Sequence, residues 1–598
     1  MGQNLTPSLI KDINPGAASS NPKDLISFNG ELYFLSGNEE ETRLFKSDGT
    51  AAGTVENFLN AFFDKEFEFG GNVTDLIATA SDRLFFDGTG RFPFGVNRFV
   101  GSTDGTAEGI SQLSFLAFGG NRDSFTSGFV LDSENFNGKL AYIIETVTFV
   151  AATNFPVDTK LFVSDATQSG TNEIFAIDKN SEFRDLIKEL TNVNGTLFFT
   201  VVGNNGIANQ LWKSDGTNSG TVLVKNVGKN SFSTSDGSIN LTNLTDINGM
   251  LFFSGEDKDF IFNPETKRFD SRNKGVELFK SDGTASGTVV IKDINPGEAS
   301  SNPDKLTDVN GTAYFVANDG KNGTELWKSD GTESGTILVK DIISGSGGSN
   351  PDNLTNVNGT LFFTVNDGSN GTELWKSDGT QSGTNLVKNI NPGGNSSNPD
   401  NLTVFQNILY FTADDGSNGV ELWKSDGSES GTVLVGDINP GNASSNPQEL
   451  TVVDGELYFS ADDGSNGREL WGLTEGGTQP NQDLILGTDS NDVLLGKEQD
   501  NIIDGLKGND TLTGGSGKDV FVLSSEFGND LITDFTLGED EIINATSRIV
   551  FTTMADGDSL KVAFSNTGDV LQVNLNGNEQ GELENYLLSI GSNQNLPY

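Results

Sequence analysis

From residue 305 onward the chain repeats itself nearly verbatim, and a repeat this strict leaves few folds open. The segment KLTDVNGTAYFVANDGKNGTELWKSDGTESGTILVKDI starts at Lys305 and returns as NLTNVNGTLFFTVNDGSNGTELWKSDGTQSGTNLVKNI from Asn353. A third copy starts at Asn401 and a truncated one at Glu449. Asp282, Asp330, Asp378 and Asp426 recur every 48 residues. Earlier copies are looser, with equivalent aspartates at Asp48, Asp104, Asp165 and Asp215. Their insertions fall between motifs, as with FIFNPETKRFDSRNK at 260–274.

Each unit reads as four short strands: LTxVNG, TLFFT, TELWKS and TILVKDI. The links DGxNG and DGTxSGT carry hairpin chemistry, with Gly supplying positive φ and Asp or Asn bonding the local backbone. The connection between units, INPGxxSSNP, holds prolines that a paired strand would reject. Four antiparallel strands in about 40–50 residues is the pattern of a propeller blade. Nine units begin near Asp24, Asp75, Phe129, Glu189, Asn243, Lys305, Asn353, Asn401 and Glu449. The ninth stops after its third strand, ELWGL. An orphan fourth strand, NLTPSLIKDINPG at 4–16, precedes the first. The expected fold is therefore an all-β, propeller-like array of about nine units, closed by the amino-terminal strand. An open stack would leave two bare sheet edges.

The tryptophans Trp212, Trp327, Trp375, Trp423 and Trp471 share one position of the repeat, which predicts inter-blade core. A ring of sugar-stacking platforms is the competing reading.

Composition removes most catalytic options. With no Cys and no His, the chain cannot build a thiolate or Ser-His-Asp site, nor a His- or Cys-ligated metal. Oxygen ligation of Ca²⁺ or Mg²⁺ remains. With 84 acidic against 37 basic residues, a net charge of −47, nucleic acid and anionic membrane surfaces are excluded as partners. No apolar run reaches the roughly 18 residues of a membrane span, and MGQNLTPSLIKDINPG lacks the character of a secretory leader.

Residues 24–473 resemble the ELWxxDGT repeats of large bacterial secreted proteins, on the strength of ELWKSDGT at 325–332 and 373–380. The resemblance implies an extracellular repeat protein with no assigned catalysis.

After the repeat domain (1–474) comes a polar linker (475–483) and then a nonapeptide rhythm. Asp483, Asp492, Asn501, Asp510 and Asp519 lie nine apart, each followed two residues later by Ile485, Leu494, Ile503, Leu512 or Phe521. This resembles the RTX, or haemolysin-type, calcium-binding repeat, with GGSGKDVF at 514–521 the best copy. A parallel β-roll is expected over 484–523, with stacked turns 18 residues apart. Asp492 should face Asp510 across one Ca²⁺, and Asn501 should face Asp519 across a weaker site. The carbonyls of Gly505, Gly508, Gly514 and Gly517 are the expected additional ligands. Lys497, Glu498 and Gln499 stand where the repeat prefers glycine, so one or two sites are expected. Residues 524–598 resemble the segment after the roll in RTX exoproteins, which implies an uncleaved type I secretion signal and makes the secretion machinery a partner.

The functional expectation is a secreted, calcium-binding, non-enzymatic protein. Its ring would act as an interaction or adhesion platform for extracellular polysaccharide or surface proteins. Its carboxy-terminal region would fold on meeting calcium outside the cell. The alternatives are a polysaccharide-acting enzyme using a carboxylate pair and a propeller binding a small molecule in its central channel. Calcium in the DGxNG turns, such as Asp319–Gly323, is a minor expectation, because hairpin geometry explains those residues without metal.

Overall fold

A strand covered on both faces needs no polar alternation, and the second strand of each repeat shows this directly. In Thr360–Asn366, TLFFTVN, all five central residues are buried. Two neighbours divide them. Leu361, Phe363 and Val365 pack with Val309, Tyr314, Leu326 and Val339 of the preceding unit, and Trp375 joins that cluster. Phe362 turns the other way, toward Leu409, Phe411 and Trp423 of the next unit. The tryptophans thus seal the joints between units, as expected. Trp327, Trp375 and Trp423 are 6–7% exposed.

The computed structural model describes residues 5–37, 42–57, 71–80, 83–92, 95–106, 110–115, 124–150, 157–177, 186–202, 209–227, 241–263, 268–475, 483–488, 490–496, 501–515, 519–523, 528–536, 541–544, 551–556, 559–564 and 570–575. These form an all-β chain with nine four-stranded sheets arranged as a nine-bladed β-propeller. The first strands line the centre side by side. Lys23–Phe28 of blade 1 lies against Gly71–Ala80 of blade 2 and also against Gln448–Val453 of blade 9. The ring is therefore closed. In blade 9 the outermost strand is Leu5–Lys11, paired beside Arg468–Glu475. Pro7 sits on that edge strand, where no ladder bond is lost.

Each first strand carries a bulge. In Asp304–Val309 the register shifts between Asp304 and Thr307, and Lys305 takes a φ of 57°. Asn353 and Asn401 do the same at 52° and 55°. The polar ends of the blades are organised just as regularly. In the loop after Thr324–Ser329, Asp330 Oδ1 accepts from the Thr332 amide (2.9 Å) and hydroxyl (2.7 Å). Ser329 and Thr336 share a hydroxyl–hydroxyl bond of 2.7 Å. Gly335 must be glycine, because a Cβ there would collide with the Asp330 carboxylate.

Blades are also clasped to one another. Lys292, Lys340 and Lys388, at the end of one blade's outer strand, donate to the carbonyls of Thr336, Thr384 and Thr432 in the next blade at 2.6–2.7 Å. Lys340 lies 5.4 Å from the Trp375 ring centre as it does so, within cation–π range. Blade 8 has Gly436 in this position. A Cβ there would come within 2.7 Å of Pro7, so the clasp is absent where the amino-terminal strand enters.

A second unit begins at Glu475. Its two sheets are built on parallel pairs, Asp483–Leu486 with Asn501–Asp504 and then Val520–Leu523, and Val493–Leu495 with Thr511–Thr513. Ile485 pairs with Ile503, Ile503 with Phe521, and Leu494 with Leu512. Ile503, Leu512 and Phe521 are fully buried between the sheets. The parallel pairing runs past residue 523. Asn529–Phe535 adds to one sheet and Glu541–Asn544 to the other. The first sheet then ends in an antiparallel set, with Val570–Leu575 parallel to Asn529–Phe535 and followed by Ser559–Phe564 and Phe551–Asp556. Among the described residues no helix is long and apolar enough to cross a membrane.

Candidate metal centre

The stacking of the roll brings the sequence-predicted residues together in pairs. The Asp492 amide donates to Asp510 Oδ1 at 2.8 Å, and the Asn501 amide to Asp519 Oδ1 at 2.9 Å, each across 18 residues. Asn501, Asp510 and Asp519 are at most 1% exposed. Asp492 also accepts on Oδ2 from the amide and hydroxyl of Thr488 at 2.7 and 2.8 Å.

The two sides of the roll differ chemically. On one side, Asn501 Nδ2 donates to Asp519 Oδ1 at 2.9 Å and to the Gly514 carbonyl at 3.2 Å. The amide thus directly occupies the oxygens that a cation would use. On the other side two carboxylates face one another. Asp510 Oδ2 is buried and accepts no hydrogen bond, an arrangement that costs about 1–3 kcal/mol when nothing compensates it. Burial pushes the Asp510 carboxyl above its usual range, and the nearby charges of Asp492 and Asp504 add to the push against the Asp492 amide bond.

Glycines shape the space around these oxygens. The Gly505 carbonyl and Asp510 Oδ2 crowd the positions that Cβ atoms of Gly487 and Gly505 would fill. At Gly508, with φ of 143°, a Cβ would meet the Ser490 carbonyl at 2.7 Å and Asp510 Oδ1 at 2.8 Å. The Gly514 position is crowded by Asp519 Oδ2. Gly517, like Lys497, Glu498 and Gln499, lies outside the described residues. Hard oxygen donors, an orphaned carboxylate oxygen and glycine-sized gaps fit Ca²⁺, which takes six to eight oxygens. Among the described residues no three acidic side chains converge on one point, so backbone carbonyls must supply most of the shell. Asp492 and Asp510 would hold the ion, and it would supply positive charge between carboxylates that otherwise repel.

The DGxNG turns of the ring are satisfied internally. Asp319 Oδ1 accepts from the Lys321 and Asn322 amides at 2.9 and 2.8 Å, and Oδ2 from Asn322 Nδ2 at 2.8 Å. Burial raises this carboxyl, but those hydrogen bonds outweigh it and hold it below the usual range.

A set of residues absent from the sequence reading holds the connections between blades. Glu373 is fully buried, and accepts from the Ile390 amide at 3.0 Å and the Ser397 amide at 2.9 Å, with the Ser397 hydroxyl as third donor. Glu277, Glu325, Glu421 and Glu469 repeat the arrangement with Ser301, Ser349, Ser445 and Ser20. The signal was available: in five units a glutamate stands two residues before the aromatic of the repeat, and in four of them a serine follows 24 residues later.

Residues 486–521 match the RTX calcium-binding nonapeptide repeat in four copies. No curated protein matches the chain in sequence. Among solved structures the chain is similar to Porphyromonas gingivalis dipeptidyl peptidase 4, at 10% identity over 81% of this chain and 68% of that one, TM-score 0.41. It is also similar to Pyrococcus horikoshii acylaminoacyl peptidase, at 9% identity over 83% and 61%, TM-score 0.31. A third similarity is to a polysaccharide lyase, at 9% identity over 64% and 96%, TM-score 0.30. No activity is carried over from them. The calcium-binding nonapeptide repeat is the family that residues 486–521 match.

Proposed function

We propose that the chain is a secreted, calcium-binding repeat protein of the ELWxxDGT type. Its nine-bladed ring serves as an extracellular interaction platform for polysaccharide or surface proteins, and no catalysis is assigned to it. The roll and the strands after it fold when calcium is met after type I export. The observation that carries the calcium part is the Asp492–Asp510 stack, with its buried, unpartnered Asp510 Oδ2. The platform part is supported by DGT loops of one construction repeated from blade to blade.

Mass action gives the size of the switch. At an affinity of about 0.1 mM, the tight end for extracellular modules, roughly 10 mM calcium adds about 2.7 kcal/mol per site, and micromolar calcium adds almost nothing. The test is hydrogen–deuterium exchange of the full chain in calcium and in chelator. Amides of 483–575 should gain protection with calcium while those of the ring stay unchanged. Equal protection of the roll in chelator would sink calcium-driven folding.

A further inference from the structure

The matched repeats end at residue 521, and the nine-residue rhythm ends with them. The stacking continues. Thr511 pairs with Leu531 and Leu512 with Ile532, and Ile532 is as fully buried as Leu512. Two extra residues in the intervening turn lengthen the step from 18 to 20. After that step Gly508-Asn509-Asp510 is repeated as Gly528-Asn529-Asp530.

The two triplets sit alike. The Asn509 amide donates to Asn491 Oδ1 at 2.9 Å, and the Asn529 amide to Asn509 Oδ1 at 2.9 Å. The Asp510 amide donates to Asp530 Oδ1 at 2.9 Å, the same bond that Asp492 makes to Asp510 one turn earlier. Asp530 is 3% exposed and Asp510 1%. The Gly508 carbonyl is turned onto the place a Cβ of Gly528 would fill, as the Ser490 carbonyl is turned onto that of Gly508.

We infer that Asp530 is a calcium ligand. With Asp510 and the Gly508 carbonyl it forms a further site on the Asp492 side of the roll, beyond the matched repeats. The argument rests on charge. Asp510 and Asp530 are both buried, and Asp510 Oδ2 has no hydrogen-bond partner, so the stacked carboxylates need a cation beside them. Across the roll, where Asn501 faces Asp519, an amide already does part of that work.

The inference depends on the calcium reading of the roll, and one experiment separates the two. Bound Ca²⁺ per full-length chain is counted by calorimetric titration for the wild type, Asp530→Asn and Asp510→Asn, with circular dichroism on each at saturating calcium. Asp530→Asn should bind one ion fewer with its calcium-induced β signal retained. Asp510→Asn, shared between two sites, should bind two fewer. An unchanged count in Asp530→Asn, or a loss of only one ion in Asp510→Asn, overturns the site. If the wild type binds no calcium at all, the calcium reading itself falls.

Discussion

Gly379 shows how much a single missing side chain decides in the ring. Its φ is 83°, and a Cβ would run into the Tyr314 hydroxyl of the preceding blade. A Cβ on Gly427 would likewise lie 3.0 Å from Phe362 Cζ. Gly297 has a φ of 108°, but a Cβ there would meet nothing within 4 Å. Gly297→Ala should therefore cost about 1 kcal/mol of backbone strain, and Gly379→Ala roughly 2–4 kcal/mol, strain plus clash. Melting followed by tryptophan fluorescence checks this, because every tryptophan lies in the ring. The buried glutamates set a pH dependence. Burial pushes Glu277 up to about 7, so the fold favours its neutral form. The resulting stability is complete below the unfolded value near 4.5 and is lost as pH rises through about 7. Asp282, Asp330 and Asp378 run the other way. The Thr hydroxyls and amides hold them below the usual range, so their contribution is lost as pH falls through their folded values, below about 4. The ring should therefore be most stable near pH 4, and Glu277→Gln should flatten the decline between about 4.5 and 7 in melts at stepped pH.

At the scale of the element, the amino-terminal strand is the clearest test. Leu5 and Ile10 are buried in it at 8% and 2% exposure, and the Ile13 amide just beyond it donates to Glu469 at 2.9 Å. A chain starting at residue 17 should lose those contacts, roughly 3–5 kcal/mol for two core side chains. It should also expose Arg468–Glu475 as a bare edge. Size-exclusion chromatography should show self-association, and an added peptide of residues 4–16 should reverse it. Unaltered monomers of unaltered stability would refute the closure role. This strand was legible in the sequence because LIKDINPG reappears as LVGDINPG in blade 8. Blades 6 to 9 were legible for the same reason, the internal copies acting as an alignment. Blades 2 and 3 were less so. Their hairpins lengthen, as in Ser124–Phe136 with Lys139–Val150, and the turn signals scatter. In the roll, the nine-residue spacing pointed to the pairs Asp492–Asp510 and Asn501–Asp519, which are hydrogen-bonded across the stack. Asp530 did not stand out, because two inserted residues hide an unbroken stack from any test of period. The glutamates were overlooked for another reason. A charged residue beside an exposed loop reads as surface until its three donors are seen.

For the whole molecule, no sheet among the described residues contains strands of both units, and each unit has buried apolar residues of its own. Scanning calorimetry should resolve two transitions. Adding calcium should raise the one from the roll by several degrees per occupied site, about 4–8 °C for each kcal/mol in a domain of this size, and leave the ring's in place. A single transition that moves with calcium would show the two units melting together. The net charge of −47 sharpens the contrast, since repulsion among carboxylates opposes compaction until cations arrive.

The route by which blade 9 is completed has a kinetic consequence. Its outer strand and its third strand are more than 450 residues apart, as in the bond from Ile13 to Glu469. Eight blades can form from neighbouring chain, each within its own stretch of sequence. The ninth must wait until both of its parts are present. Until then the chain is an open arc with a sticky edge at its end, and loop closure over that length adds entropy loss to the delay. The seam is thus the step at which folding time, and exposure to other chains, is decided.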